Sequence, residues 1–252
     1  MNPENDTISL WQVAIDEVDT GANELYRLLS GDEKERSGSF RFEADRGNFV
    51  ARRAQLRKLL GWYLSVDPAE IRFSANSSGK PLVAFPQQPE LHFSLSHSGN
   101  IMACAICPYT EIGIDIERIE PADDLMDVAG THFSPAEQAK LGDLTEPART
   151  QAFFRLWTIK EAVVKAKSLN LEEGLQLPCV ADSQDSRIII TTPGDGNPLT
   201  CLTDILEAPG YASALAIASR PDSPITLHRH IVKGATVIES FHTYPPATLA
   251  GG

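Results

Sequence analysis

Cysteine and long apolar runs are both scarce in this sequence. Four cysteines among 252 residues are too few, for a chain of this length, to form a disulfide framework. The sequence has no run of about eighteen apolar residues, the length needed to cross a membrane. The opening residues MNPENDTISL also lack the basic and apolar regions of a secretory signal. We therefore expect a soluble cytoplasmic protein with no membrane partner.

Cys104 and Cys107 form an isolated C-x-x-C pair inside the apolar stretch MACAIC. A structural zinc site needs four convergent ligands, and the remaining cysteines, Cys179 and Cys201, lie far apart from each other in the sequence. The pattern therefore favours small apolar residues in a strand over a zinc site.

Basic residues are also few. The 22 Lys and Arg stand against 34 Asp and Glu, which gives a formal net charge of −12 at pH 7. This charge argues against a nucleic-acid partner bound by general electrostatics. Many of the basic residues are nevertheless concentrated in one segment, where the local charge is positive. They are Lys34, Arg36, Arg41, Arg46, Arg52, Arg53, Arg57 and Lys58.

Apolar periodicity predicts a mixed α+β protein. Between 44 and 64, apolar residues recur at three- and four-residue spacing, which is typical of one helical face. Further helices are predicted at 134–144 and 151–168, and Ser30 or Asp32 could cap shorter ones. Strands are predicted at 8–18, 81–85, 92–96, 102–107, 112–119, 187–192, 200–205, 211–219 and 225–230.

The order of these elements indicates a duplication: two similar halves, each with a helix packed on a mostly antiparallel sheet. We place the first half at 1–110 and the second at 111–237, with the boundary near residues 108–111. Residues 238–252 contain two prolines and two glycines, and we expect a loose tail there.

The predicted strand IGIDIERI carries two acidic residues on one face. Its isoleucines alternate with Gly113, Asp115 and Glu117, so the two carboxylates share a face and lie roughly 6.6–7 Å apart along the strand. Both could converge on one hard cation such as Mg²⁺, which binds carboxylate and phosphate oxygens. An ordinary strand with its polar residues in water is the alternative.

The predicted helix QAFFRLWTIKEAVVKAKS also has two distinct faces. The apolar stripe expected to face its own sheet contains Ala152, Leu156, Ile159, Val163 and Ala166. The opposite face contains Phe154, Trp157, Glu161 and Lys165. A Glu–Lys pair at this spacing can simply stabilise a helix, with the aromatics covering a neighbour. We favour a cleft or an interface between the halves, where this face lies, Glu161 meets the strand carboxylates and Lys165 meets phosphate.

The segment HFSLSHSGN runs from a strand into a polar turn at Gly99–Asn100. Hydroxyls, an imidazole and backbone N–H groups at a strand end can bind phosphate. A hydroxyl-capped turn is the simpler interpretation. A third interpretation is a Ser–His hydrolase. Two observations argue against it: no G-x-S-x-G motif is present, and the Ser96 and His97 side chains would point to opposite faces of a strand.

The segment SSGKP predicts a turn that presents Lys80 as a point charge. Gly79 would allow a ligand to approach the backbone closely. An isolated G-K-P sequence is also common in turns without any binding function.

Five motifs, in this order, resemble those of the surfactin-synthetase-activating type of 4′-phosphopantetheinyl transferases. They are R-R-x-x-L-R at Arg52–Arg57, G-K-P at Gly79–Pro81, S-x-S-H-S at Ser94–Ser98, G-I-D-I-E at Gly113–Glu117 and W-x-x-K-E-A-x-x-K at Trp157–Lys165. The last two motifs together are quite specific, and the resemblance extends from about residue 34 to 175.

The resemblance implies a monomer of two pseudo-symmetric halves with coenzyme A in the cleft between them. It implies transfer of the 4′-phosphopantetheine arm from coenzyme A to a serine of an apo acyl or peptidyl carrier protein, with release of 3′,5′-ADP. It also implies a divalent metal, Mg²⁺ or alternatively Mn²⁺. The carriers could belong to fatty-acid, polyketide, nonribosomal-peptide or lysine synthesis.

The resemblance also implies roles for individual residues. The implied metal ligands are Asp115, Glu117 and Glu161. The implied coenzyme A contacts are Lys34, Arg36, Arg53, Lys80, Pro81, Ser96, His97, Lys160 and Lys165. Glu161 is the candidate base for the carrier serine, and His97 and Lys165 would stabilise charge on the phosphates.

One segment departs from the family pattern. After the second lysine of the helix the family usually has G-x-G-L, whereas this chain has Ser168, Leu169, Asn170 and Leu171. The conformation of this loop and its contacts with a carrier protein are therefore expected to differ.

Two other functions stay open on these residues. A non-catalytic module that binds coenzyme A or a carrier protein would keep the same fold, but binding alone needs no third carboxylate at Glu161. A Ser–His hydrolase would work without a divalent metal and would lose activity, but not coenzyme A binding, in His97→Ala.

Overall fold

The structure of the protein is a computed structural model. It describes residues 7–15, 22–87, 91–170, 174–175, 186–190, 198–218, 224–234 and 236–245. Up to residue 110 the elements are β1 (Thr7–Ala14), α1 (Ala22–Leu28), α2 (Gly31–Gly38), α3 (Glu43–Leu64), β2 (Arg72–Ala75), β3 (Pro81–Phe85), β4 (His92–Ser98) and β5 (Ile101–Cys107). After it they are β6 (Ile112–Arg118), α4 (Leu125–His132), α5 (Pro135–Gly142), α6 (Ala148–Lys167), β7 (Arg187–Ile190), β8 (Leu199–Thr203), β9 (Tyr211–Ile217), β10 (Ile225–Lys233) and β11 (Thr236–Tyr244).

The strands form two main sheets and a separate β2–β3 hairpin. The first sheet has the order β11-β10-β1-β5-β4, and only its β1–β10 pair is parallel among the described strands. The second sheet has the order β6-β9-β8-β7 and is antiparallel. The predicted α+β fold with two helix-on-sheet halves is confirmed.

Alternation along the strands builds three apolar layers. The outer face of the first sheet packs on α3, where Trp11 and Met102 meet Leu56 and Leu60. The inner face packs against the second sheet, and residues such as Leu10 and Ile114 share that core. The outer face of the second sheet packs on α6. As a result β6 is covered on both sides, which places any polar group on it in a buried setting.

Most predicted elements are present with small differences at their ends. Ser30 is the N-cap of α2, where its hydroxyl and the Glu33 carboxylate form a capping box. Two helices, α1 and α4, and two strands, β2 and β11, were not predicted. Residues 16–18, 191–192 and 219 of predicted strands lie outside the described residues, as do Cys179, Leu171 and 246–252.

The predicted tail is wrong over its first seven residues. Strand β11 runs to Tyr244 and pairs antiparallel with β10 along its whole length. The β-branched and aromatic residues of TVIESFHTY suit this pairing, and the prolines that indicated a tail come only after it. Because β10 in turn pairs with β1, the chain returns to the first sheet after completing the second. The boundaries 1–110 and 111–237 stay a prediction.

Helix α6 packs differently along its length from what its periodicity predicts. Ile159, Val163 and Ala166 face the second sheet as expected. Its first half instead lies against α4 and α5, where Leu156 and Trp157 join a cluster with Phe133. The aromatic residues therefore cover neighbouring helices, and the preferred placement of Phe154 and Trp157 in a cleft is wrong.

The C-x-x-C pair lies in β5 and both cysteines are buried. Cys104 belongs to the core under α3 and Cys107 to the core between the sheets, so the two side chains point to opposite faces. Burial raises the pKa of Cys104 to about 12, which keeps its thiol protonated. This supports the interpretation as apolar strand residues.

Among the described residues, the helices are too short or too polar to cross a bilayer.

Candidate active site

The candidate active site lies where β4, β6 and α6 meet. Gly113 of β6 faces α6, and a Cβ there would overlap the carbonyl oxygen of Ala162 and the backbone nitrogen of Ala166. The helix backbone therefore packs directly on the strand. This close approach places Glu161 and Lys165 beside the carboxylates of β6.

Asp115 is the most deeply buried of these carboxylates, with 2% of the residue exposed. Its Oδ1 accepts hydrogen bonds from Lys165 Nζ at 2.7 Å and from Ser96 Oγ at 2.6 Å. Lys165 Nζ also lies 3.9 Å from Glu161 Oε2 and 3.2 Å from Ser96 Oγ. One ammonium therefore lies between two carboxylates from different elements.

The serines of β4 join this strand to β6. Ser94 Oγ accepts from the backbone N–H of Ile114 at 3.0 Å, and Ser98 Oγ donates to Glu117 Oε2 at 2.7 Å. Ser98 also accepts from the N–H of Arg118 at 3.0 Å. The alternating hydroxyls thus connect two strands that lack a backbone ladder, and they orient both acidic side chains of β6.

Negative charge dominates the site. Burial raises the pKa of Asp115 and Glu117, and this effect exceeds the opposing contributions of Lys165 and of the serine hydrogen bonds. Burial and the charge of Asp115 raise the pKa of Glu161 to about 7; Glu117 adds to the effect and Lys165 opposes it. Since three carboxylates share one ammonium, a further cation would be stabilised here.

The donor set fits a divalent cation. Asp115 Oδ2 is buried and has no hydrogen-bond partner among the described residues, although a buried oxygen normally has one. Carboxylate oxygens are the ligands that Mg²⁺ and Mn²⁺ prefer. Asp115, Glu117 and Glu161 therefore supply chemistry suited to such an ion.

A cationic cleft of about 400 Å³ opens beside β4, between its end and α3. It is lined by Arg36, Phe40, Asp45, Asn48, Phe49, Arg52, Arg53, Leu95 and His97. Three guanidinium groups face a single carboxylate, so the cleft suits an anionic ligand. Burial lowers the pKa of His97, as do the nearby charges of Arg52 and Lys165, which favours the neutral imidazole at pH 7.

Among the three arginines that line the cleft, only Arg52 was given no binding role in the sequence analysis. Its NH1 lies 3.3 Å from His97 Nε2, and its NH2 donates to the carbonyl of Gly99 at 3.3 Å. It is named in the sequence analysis as a member of the basic segment and of the R-R-x-x-L-R motif. Helical periodicity gives neighbouring residues different directions, but only the position of β4 reveals which of the arginines meets His97.

Arg53 also contacts an acidic group outside the cleft. It pairs with Glu33, its guanidinium carbon lies 4.3 Å from the centre of the Phe73 ring, and Arg57 Nε binds Glu33 at 2.7 Å. Burial raises the pKa of Glu33, but hydrogen bonds from Arg57 and Ser30 and the charge of Arg53 outweigh it, and the net pKa is lowered. The buried Arg57–Glu33 pair is structural, whereas Arg53 remains 23% exposed and also lines the cleft.

Of the other predicted contacts, Arg36 lines the cleft, whereas Lys34 and Lys80 are not among its lining residues. Lys34 Nζ is 5.5 Å from the centre of the Tyr26 ring, and Arg36 is 5.5 Å from that of Phe49. Lys80 lies in the predicted turn before Pro81, where its Nζ donates to Glu111 Oε2 at 3.1 Å and to the carbonyl of Ile112 at 2.9 Å. Lys80 is thereby held at the start of β6.

Lys160 does not face this site, contrary to the expectation of a phosphate contact. Its side chain is fully buried, with Nζ 3.0 Å from Glu137 Oε2 and 2.8 Å from the carbonyl of Leu175. A rotation of about 100° per residue along the helix directs Lys160 towards α5 while its neighbour Glu161 faces β6.

Ser96 and His97 do not form a nucleophile–base pair. Ser96 Oγ is bonded to Asp115, whereas His97 Nε2 contacts Arg52 on the other side of the strand. This arrangement argues against the hydrolase interpretation, because a serine nucleophile needs its base within hydrogen-bond distance.

The departure from G-x-G-L begins at a strained position. Ser168 caps α6 in the left-handed conformation, with φ 53° and ψ 36°, where glycine has no steric penalty. Its Oγ accepts a hydrogen bond from Asn76 Nδ2 at 3.0 Å. The hydroxyl thus connects the end of α6 to the turn that carries Lys80.

Two family models match this chain in succession. The N-terminal model of the 4′-phosphopantetheinyl transferases matches residues 17–109, and the model of the 4′-phosphopantetheinyl transferase superfamily matches residues 111–216. Together they span the second sheet, strands β4 and β5 of the first sheet and every residue of the candidate site, whereas β1, β10 and β11 lie outside the matched residues.

Individual relatives agree with this match. The 4′-phosphopantetheinyl transferase HetI of Nostoc sp. is 38% identical over 163 residues, which cover 64% of this chain and 69% of the relative. The 4′-phosphopantetheinyl transferase Sfp of Bacillus subtilis is 30% identical over 197 residues, covering 78% of this chain and 85% of the relative. A phosphopantetheinyl transferase of Thraustochytrium sp. is 30% identical over 171 residues, which cover 64% of this chain and 59% of the relative.

Proposed function

The chain belongs to the 4′-phosphopantetheinyl transferase superfamily and transfers phosphopantetheine from coenzyme A to carrier proteins, and we propose that Asp115, Glu117 and Glu161 form the centre of its active site. The observation that carries this assignment is the contact of Lys165 with both Asp115 and Glu161. We further propose that the protein acts as a monomer, because its two halves supply opposite sides of one site.

The reaction requires positioning and charge stabilisation more than covalent help. The hydroxyl of an apo carrier serine attacks the phosphorus that bears the pantetheine arm. A new P–O bond to the serine forms, the P–O bond of the pyrophosphate bridge breaks, and its electron pair leaves with 3′,5′-ADP. The proton of the serine passes to a base.

Glu161 is the proposed base. Its side chain is 16% exposed, whereas that of Asp115 is 3% exposed and already accepts two hydrogen bonds. Glu161 can therefore be reached by an incoming hydroxyl, while Asp115 is held in place. A positioned base contributes typically about 10²- to 10⁴-fold to a rate.

Mg²⁺ or Mn²⁺ bound by the three carboxylates would stabilise the negative charge of the pyrophosphate. Lys165 neutralises further charge from α6. Ser96 and Ser98 hold the acidic side chains of β6 in place through their hydrogen bonds.

The cationic cleft is the proposed site for the nucleotide end of coenzyme A. Arg36, Arg53 and Lys34 would bind its 3′-phosphate, and His97 and Arg52 line the same cleft in contact with each other. Lys80, held beside Pro81 at the start of β6, would contact the pyrophosphate once it leaves Glu111. Ser96 would need to exchange its bond with Asp115 for a phosphate contact.

Intact mass spectrometry of apo carrier proteins tests the proposal. Acyl and peptidyl carriers are incubated with the protein, coenzyme A and Mg²⁺, then with EDTA, and then with Mg²⁺ or Mn²⁺ restored. We expect a mass gain of one phosphopantetheine arm that EDTA abolishes and either ion restores to a measurable degree.

Two variants locate the chemistry. Glu161→Gln should remove the mass gain, while Glu24→Gln, a change at an exposed residue of α1, should leave it unchanged. Transfer that persists in EDTA and in Glu161→Gln would contradict the metal and base assignments. Coenzyme A binding without transfer to any carrier would instead favour a binding module.

A further inference from the structure

A second group of potential metal ligands lies on the β10–β11 hairpin. It consists of His228 and His230 on β10 and Glu239 on β11. One ligand atom from each side chain lies within 4.8 Å of the other two, which no other group of described His, Cys, Asp and Glu residues achieves. The active site uses none of these residues, and β1 and β5 separate β10 from β4 in the sheet order.

Strand geometry explains how the three side chains come together. His228 and His230 are two residues apart on β10, so they share one face of the sheet. His230 is directly opposite Glu239 in the antiparallel register, and His228 is opposite Phe241. The ligands therefore come from two hydrogen-bonded strands, which hold their Cα positions more firmly than a loop would.

The distances suit a small transition-metal ion. His230 Nδ1 lies 3.2 Å from Glu239 Oε1, and His228 Nε2 lies 3.6 Å from Glu239 Oε2. Ligand atoms about 2.1 Å from a tetrahedral zinc ion lie about 3.4 Å from one another. Each nitrogen is therefore about as far from the carboxylate oxygen that it faces as two ligand atoms of one zinc ion are from each other, and one ligand atom from each of the three residues lies within 4.8 Å of the others.

One nitrogen of each imidazole faces the Glu239 carboxylate, and a metal ion there would bind the lone pair of the neutral ring. His228 Nε2, which faces Glu239, is buried and has no hydrogen-bond partner among the described residues.

Aromatic neighbours fix the two rings. Trp11 stacks on His230 with ring centres 3.9 Å apart, and Phe241 stacks on His228 with centres 4.1 Å apart. Glu239 remains half exposed, which leaves a route from solvent to the group. Two imidazoles and one carboxylate, with an open fourth position for water, are a ligand set that Zn²⁺ accepts.

We propose that His228, His230 and Glu239 bind one Zn²⁺ ion, which fastens the edge strand β11 to β10. The site is separate from the proposed carboxylate site and differs from it in chemistry, since imidazole ligands favour Zn²⁺ over Mg²⁺.

Metal analysis of the full chain, prepared without a histidine tag and stripped with a chelator, tests this proposal. Zn²⁺ is added with excess Mg²⁺ to occupy the carboxylate site, and bound zinc is measured by mass spectrometry and titration calorimetry. We expect one equivalent per chain. Co²⁺ in its place should give the visible absorption of a tetrahedral site.

Matched variants separate this site from others. Glu239→Gln and His228→Gln should weaken Zn²⁺ binding by at least about 10-fold, while His242→Gln, an exposed position on the same hairpin, and Glu161→Gln should not. Zn²⁺ should raise the melting temperature of the wild type and not that of Glu239→Gln. Equal zinc binding by wild type and Glu239→Gln, or loss of binding in Glu161→Gln, would overturn the proposal.

Discussion

Glu33 and Glu161 are both helical glutamates with a basic side chain nearby, yet the pKa of Glu33 is lowered and that of Glu161 is raised to about 7. Glu33 faces two guanidinium groups and receives a backbone N–H. Glu161 shares one ammonium with two further carboxylates. Burial raises the pKa at both positions, and the two directions differ because hydrogen bonds and positive charge outweigh burial at Glu33, whereas neighbouring carboxylates add to it at Glu161.

The difference separates a structural ion cluster from a reactive one. In the cluster around Glu33 every charge has a partner, and it holds α2 against α3. In the cluster around Glu161 negative charge is in excess, so the folded protein keeps carboxylates together at a cost that a bound cation would offset. A neutral side chain should therefore have opposite effects on stability at the two positions.

The largest expected effect is on catalysis. Glu161→Gln should lower the rate of transfer by about 10²- to 10⁴-fold. In EDTA, its free energy of unfolding should equal or exceed that of the wild type, because repulsion among the carboxylates is relieved. Urea denaturation with transfer kinetics measures both, and a strongly destabilised variant would show that the carboxylates are not in excess.

Glu33→Gln should instead unfold more easily. It leaves Arg57, whose side chain is 1% exposed, without its charged partner, and removing one member of a buried pair costs about 3–5 kcal/mol. Arg57 keeps its bonds to the carbonyls of Pro68 and Ile71, so we expect the lower end of this range. Urea denaturation at pH 7 provides the value, and an unchanged midpoint would contradict the structural assignment.

The stability difference between wild type and Glu33→Gln should depend on pH. The folded pKa of Glu33 lies below its ordinary value of 4.5, so its contribution is complete above about pH 4.5 and is lost as the pH falls through the folded pKa. The free energies of unfolding of the two proteins, measured by urea denaturation at several pH values from 7 to 3, should therefore approach each other as the pH falls. A difference that stays constant over this range would show that charge is not its origin.

The two helices also differ in how closely they approach their sheets. Helix α3 packs through leucines, while α6 packs its backbone on Gly113. Gly113→Ala should destabilise the protein by about 1–3 kcal/mol and reduce transfer, because α6 must move away from Asp115. A Cβ at Gly47 of α3 would meet no atom within 4 Å, so Gly47→Ala should stabilise the protein by about 0.5–1 kcal/mol. Equal effects at both positions would contradict this packing.

The smallest expected effect is at the end of α6. Ser168→Gly and Ser168→Ala both remove the hydrogen bond from Asn76, but only glycine relieves the left-handed conformation. Ser168→Gly should therefore be more stable than Ser168→Ala by about 1 kcal/mol. Thermal unfolding of the pair measures this difference, and the opposite order would mean that Ser168 does not adopt this conformation.

Local patterns in the sequence predicted the faces of single elements. The alternation of IGIDIERI predicted the isoleucine face that packs between the sheets and the acidic face that meets α6. The capping residue of α2 and the bounds of α3 also followed from local signals. Such features depend on residues a few positions apart, so they can be read without knowing the fold.

The sequence alone therefore determined the motifs, their order, the helix-on-sheet halves and the family. Only the tertiary structure showed that Lys160 binds Glu137, that serines of β4 hold the acids of β6, and that β10 and β11 complete the first sheet. These contacts join residues up to about 220 positions apart, such as Thr7 and Thr226. Periodicity gives the face of an element, but its neighbour is decided by which long-range packing buries the most apolar surface.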